Sequence, residues 1–124
     1  MHNATQAYRH VERECLVEGG DKLGTVRFLY EELKSSINNA VSAINLQDIE
    51  NKSKSISKAV CIVYALQSAL DTTKGGEIAV NLFRLYDWIR TCLITSIRNQ
   101  STEQLEAAYT VVNNLADAWQ NLKK

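Results

Sequence analysis

The chain has 124 residues, 14 Lys and Arg against 14 Asp and Glu, and 45% apolar residues, a composition that suits one globular domain and excludes a multidomain or disordered chain. A formal charge of zero argues against nucleic acid as a partner, because a strongly basic face is what phosphate recognition requires. At this length a compact fold buries roughly 60–70% of the surface its unfolded chain exposes, so no metal or disulfide staple is needed.

Taken in order, residues 1–18 form a leading segment. Its charged stretch Arg9-His10-Val11-Glu12-Arg13-Glu14 interrupts the apolar core that a signal peptide needs, so a cytoplasmic location is expected. Tyr8, Val11, Cys15 and Leu16 are spaced to dock a partly helical stretch, about 4–15, on the rest of the molecule. Proline is absent, and Gly19-Gly20 and Gly75-Gly76 are the strong breakers.

Beyond Gly20 the apolar pattern predicts four long helices. The first, about 22–45, places Leu23, Val26, Tyr30, Leu33, Ile37, Ala40 and Ile44 at alternating steps of three and four, which keeps one stripe facing its neighbours. In the second, about 48–71, the stripe is Ile49, Lys52, Ile56, Ala59, Val63, Leu66 and Leu70, with Lys52 expected to fail near the exposed first turns. The third, about 76–99, offers Ile78, Leu82, Leu85, Ile89 and Cys92. The fourth, about 102–122, offers Leu105, Ala108, Val112, Leu115, Trp119 and Leu122. Asp21 and Asp48 are expected N-caps, and Ser101-Thr102-Glu103-Gln104 has the form of a capping box. Short links between helices about 30 Å long force antiparallel neighbours. The expected fold is therefore all-α: an antiparallel, up-down-up-down four-helix bundle over 19–124, with the 1–18 segment docked on it.

Catalytic and metal chemistry find little support. Cys15, Cys61 and Cys92 are odd in number and lie in no C-x-x-C or Cys/His cluster, so reduced thiols are expected. No Glu is followed three residues later by His, as a di-metal carboxylate bundle needs, and the histidines, His2 and His10, both precede the bundle. Gly75-Gly76-Glu77 lacks the P-loop frame and reads as a turn. No metal, cofactor, catalytic residue or membrane insertion is expected, and the longest apolar run, Ala59–Leu66, is too short to span a bilayer.

What the stripes leave over is apolar surface. The second helix carries Val60, Ile62, Tyr64, Ala65 and Ala69 off its stripe, and the third carries Val80, Phe83, Tyr86, Trp88, Leu93, Ile94 and Ile97. A bundle helix needs an apolar stripe of about 100°, so a second face must be covered by the leading segment, a second copy of the chain, or a partner peptide.

The block Lys74-Gly75-Gly76-Glu77-Ile78-Ala79-Val80-Asn81-Leu82, followed by Leu85-Tyr86-Asp87-Trp88, resembles the signature of the flagellar export chaperone family FliS. Ala7-Tyr8, Phe28-Leu29-Tyr30-Glu31, Asp48-Ile49-Glu50-Asn51-Lys52, Lys58-Ala59, Ser68-Ala69-Leu70-Asp71 and Ala118-Trp119 fall in the family's order and spacing. Two departures are visible. Gly20-Asp21 stands where the family has Ser-Pro, and Glu32 stands where a small residue is usual. The resemblance implies a non-enzymatic chaperone for flagellin export that covers the disordered C-terminal segment of flagellin and prevents premature polymerisation. It implies a monomer when free, with export-gate components as further candidate partners. Tyr8 would then cover part of the groove until a client arrives. The candidate partner-binding residues are Tyr8, Ile62, Ala65 and Ala69, with Val80, Phe83, Tyr86 and Ile94 on the third helix. The competing reading is a structural or adaptor bundle that self-associates through its second apolar face.

Overall fold

A computed structural model describes residues 22–121. The leading segment, and with it Tyr8 and the expected cap Asp21, lies outside the described residues. Four helices follow one another: α1 (Lys22–Asn45), α2 (Ile49–Ser68), α3 (Gly76–Arg98) and α4 (Glu103–Gln120). α1 packs on α2 and α4, and α3 packs on α2 and α4, while the backbones of the diagonal pairs stay apart. Short links make each helix antiparallel to the next, so the expected up-down-up-down bundle is the observed one.

The core follows the α1 stripe closely. Tyr30, Leu33, Ile37 and Ala40 are fully buried against Ile56, Ala59 and Val63 of α2, Ile89 and Leu93 of α3, and Leu105, Ala108 and Val112 of α4. Leu29 joins them from the flank. The Tyr30 and Tyr86 hydroxyls bond to each other across the centre, and the Tyr30 ring lies 6.4 Å from that of Trp119.

Two stripes differ from expectation. On α3 Ile89 and Cys92 are buried as expected, but the buried line runs through Ala79, Tyr86, Leu93 and Ser96 beside them, not through Ile78 and Leu85. The spacing is the same; the helix is rotated so that Tyr86 points inward to its hydroxyl partner, and Ile78 is left in the open first turn. On α2, Ile49 is exposed while Lys52 is buried, the reverse of the expectation. Ile49 opens the helix, and side chains lean toward the N-terminus, so it projects past the end of the core. Lys52 lays its stem along the stripe and its Nζ donates to the Asn99 carbonyl at 2.8 Å, where the C-terminal end of α3 favours a cation.

Local chemistry sets the boundaries. Asp48 caps α2, its Oδ1 accepting from the Asn51 N–H at 3.1 Å, as expected. The Ser101/Gln104 capping box does not form: Ser101 Oγ accepts from the Glu103 N–H, and the Thr102 hydroxyl donates to Glu106. Thr102 already has helical dihedrals, which moves the start one residue beyond Ser101 and takes Gln104 out of the reciprocal position. α1 ends in a Schellman arrangement, Asp48 N–H to Ala43 O and Gln47 N–H to Ile44 O, with Gln47 left-handed at φ 57°. Before α3, Asp71 Oδ1 accepts from the Thr73 and Lys74 N–H groups, and Gly76 turns the chain at φ 61°. Gly75 has no room for a side chain: a Cβ there would lie 2.6 Å from Ala79 Cβ and 2.8 Å from Asp71 O.

Candidate partner-binding surface

α3 is the helix with apolar residues to spare. Of the eight large hydrophobic side chains left exposed among the described residues, Ile78, Phe83, Trp88, Ile94 and Ile97 all belong to it. Val80, Phe83, Asp87, Arg90, Ile94 and Ile97 follow at steps of three and four, so they form one stripe along the helix. The stripe lies on the α2 side, because Gln67 of α2 donates to the Phe83 carbonyl at 3.1 Å and to Asp87 Oδ1 at 2.9 Å. Antiparallel pairing continues the boundary along α2 from Gln67 through Tyr64 to Val60, both half-buried. The result is a long apolar surface interrupted by a polar centre.

The candidate residues divide in two. Phe83 is 40% and Ile94 49% exposed, Val80 is half-buried beside Phe83, and these three share the stripe. Ala69 is exposed as the C-cap of α2. Ile62, Ala65 and Tyr86 are not surface: all three belong to the buried core. Lying off a two-position stripe does not make a residue exposed, since a helix with two neighbours buries the flanking positions as well. Phe28, also exposed, precedes by one turn Glu32, which bonds Lys58 of α2 at 3.0 Å, and so belongs to the α1/α2 boundary.

The polar centre escaped the sequence reading. Arg90 donates to Asp87 Oδ1 at 2.7 Å and to Gln67 Oε1 at 3.3 Å, and its guanidinium lies 4.4 Å above the Tyr64 ring. The available signal was an Asp and an Arg three residues apart on a helix otherwise apolar on that side. Burial pushes the Tyr30 and Tyr86 phenols up, the facing hydroxyl adding to the rise at Tyr86, and burial also raises the Cys92 thiol.

Among the described residues no group of three or more His, Cys, Asp or Glu is placed to hold a metal, and no helix is long and apolar enough to cross a membrane. Two clefts, of about 230 and 540 Å³, lie by the α1–α2 turn, lined chiefly by Asn, Ser and Gln side chains with Leu46, Ile44 and Ile49. An extended apolar face with a polar interruption suits a peptide better than a small molecule.

Known proteins resemble this chain along almost its whole length. The family described as flagellar protein FliS matches residues 4–124. The flagellar secretion chaperone FliS of Salmonella typhimurium is 32% identical over 119 residues, covering 94% of this chain and 87% of that protein. Its namesake in Escherichia coli is 30% identical over 119 residues, covering 93% and 85%. The flagellar secretion chaperone FliSB of Pseudomonas aeruginosa is 26% identical over 119 residues, covering 96% and 94%. With an all-helical bundle and a match along almost its whole length, the chain belongs to the FliS family of flagellar proteins.

Proposed function

We propose that the protein is an export chaperone for flagellin, which binds the disordered C-terminal segment of flagellin in the cytoplasm and keeps it from polymerising before secretion. The observation that carries this reading is the concentration of exposed large hydrophobics on α3, in a chain whose relatives are named flagellar secretion chaperones. A bundle with its core already filled has no internal use for Phe83, Ile94 and Ile97. A disordered segment that orders on them gains apolar burial and loses conformational entropy, which keeps the complex releasable.

In this reading the bundle, 19–124, is the chaperone domain. Residues 1–18 are a separate segment, with Tyr8 shielding apolar surface in the free monomer. The work is binding rather than catalysis, and export-gate components are the further partners. Calorimetry of the full chain with a C-terminal flagellin segment of some tens of residues tests it. One-to-one binding with a gain of helix is expected. Phe83→Asp and Ile94→Asp should each weaken it by about 2 kcal/mol or more, because a carboxylate would be buried unpaired. Absence of binding, or unchanged affinity in both variants, overturns the assignment. A tight dimer in sedimentation that hides α3 would favour the self-associating bundle instead.

A further inference from the structure

The α3 stripe is apolar at both ends and polar in the middle, and the middle is built asymmetrically. Asp87 Oδ1 accepts from both Gln67 Nε2 and Arg90, while Arg90 also reaches Gln67 Oε1 and is covered on one face by Tyr64. The Arg90 side chain is 24% exposed and that of Asp87 45%. The second carboxylate oxygen, Asp87 Oδ2, takes no hydrogen bond from any of the described residues. What the cluster presents outward is therefore an acceptor, with its cation turned inward against α2.

On the reading that this stripe receives the flagellin segment, we propose that Asp87 is its specificity-determining residue: it selects a segment that offers a hydrogen-bond donor between two apolar anchors and rejects an acidic residue there. Phe83 and Ile94 are eleven positions apart, three turns of helix or about 16 Å. A client helix lying along α3 would set one anchor near Val80 and Phe83 and another near Ile94 and Ile97. Its middle turn would then cover Asp87 and remove water from Oδ2. A covered carboxylate oxygen without a donor loses its hydration and regains nothing, whereas Lys, Arg, Asn, Gln, Ser or Thr restores a bond. A client Glu or Asp would set like charges together as the site dries.

The cluster thus does two things that a fully apolar stripe would not. It fixes the register, because shifting the client by one turn places an apolar residue over Oδ2. It also discriminates among amphipathic helices of equal hydrophobicity.

The test uses the full chain and flagellin C-terminal peptides in which each Lys, Arg, Asn, Gln, Ser and Thr is changed in turn to Glu. Against the unaltered chaperone, one position should stand out, with its Glu peptide binding at least about tenfold more weakly. Against Asp87→Asn, which keeps an oxygen for Gln67 and Arg90, most of that loss should be recovered. Asp87→Leu should recover more, since it leaves Arg90 free to meet the client's carboxylate. Melting curves of the variants establish that they are folded, and Asp87→Asn serves alone if the leucine variant is not. Glu penalties at every position that are the same with Asp, Asn or Leu at 87 overturn the proposal while leaving the chaperone assignment standing. Failure of the unaltered chain to bind the native segment overturns both.

Discussion

Tyr30 and Tyr86 join hydroxyl to hydroxyl across the centre of the bundle, linking α1 to α3, the diagonal helices whose backbones do not approach each other. One hydroxyl donates to the other in a site that water does not reach, and Tyr30 has a second hydrogen-bonding neighbour in Trp119. Tyr30→Phe leaves the Tyr86 hydroxyl buried and unpaired, at a cost of about 1–3 kcal/mol, while Tyr30→Phe with Tyr86→Phe should cost less than the sum of the single changes. Urea unfolding of the two single variants and the double variant measures this coupling; simple additivity would show that the pair contributes none.

The same pair sets an alkaline limit. Both phenols are raised above their ordinary value of 10.0, chiefly by burial. Above that value the unfolded chain releases the protons while the folded chain retains them, so stability is complete at lower pH and declines as pH rises past about 10. The double Phe variant should lose most of this slope in pH-dependent unfolding.

Surface and core candidates separate in the free protein. Phe83→Asp and Ile94→Asp change exposed positions and should shift stability by less than about 1 kcal/mol. Ile62→Asp places a carboxylate in the core and should cost about 4 kcal/mol or more, enough to unfold much of the population. Circular dichroism melts of the three proteins make the comparison, and a cooperative melt near the unaltered midpoint for Ile62→Asp would contradict its burial.

Two backbone positions give opposite signs. Gln47 holds φ 57° in the α1 C-cap, where glycine has no Cβ penalty, so Gln47→Gly should stabilise by about 1 kcal/mol. Gly75→Ala should destabilise by about 1–3 kcal/mol, since its Cβ would meet Ala79 Cβ and the Asp71 carbonyl inside contact distance. Thermal midpoints should move up for the first and down for the second.

Thiol reactivity should follow burial. Cys61 is half-buried, whereas Cys92 is buried and its thiol is raised, so alkylation near neutral pH should modify Cys61 well before Cys92. Peptide mapping over a time course reads the order directly, and equal rates would point to frequent opening of the α3 face.

Legibility in the sequence tracked how local the deciding physics is. The α1 stripe and the Asp48 cap were readable because spacing and a short side chain settle them within a few residues. The register of α3 was not, since two stripes sharing Leu82 and Ile89 fit the sequence equally well and the choice depends on Tyr30, more than fifty residues away. Lys52 was misread because its type suggests water, while its ammonium finds the α3 terminus, which no spacing within α2 announces. The same limit blurred the candidate surface: Phe83 and Ile94 looked no different from Tyr86, and only packing shows that the first two remain outside. The Gln67–Asp87–Arg90 cluster needs two helices to exist at all.

Arg27 donates from Nε to the Trp119 carbonyl at 3.1 Å and reaches the Gln120 carbonyl at 3.4 Å, so the start of α1 clasps the last turn of α4. In a ring of helices whose backbones pack only on their neighbours, that clasp stands where a fourth loop would be. A peptide link between these two termini, with a cut at the α1–α2 turn near Gln47, would preserve every helix contact while changing their order along the chain. The bundle is topologically a closed cycle that the chain enters at one of four nearly equivalent places. Reporter groups inserted at Gln47, twenty residues beyond Arg27, would sit about 30 Å from the clasp.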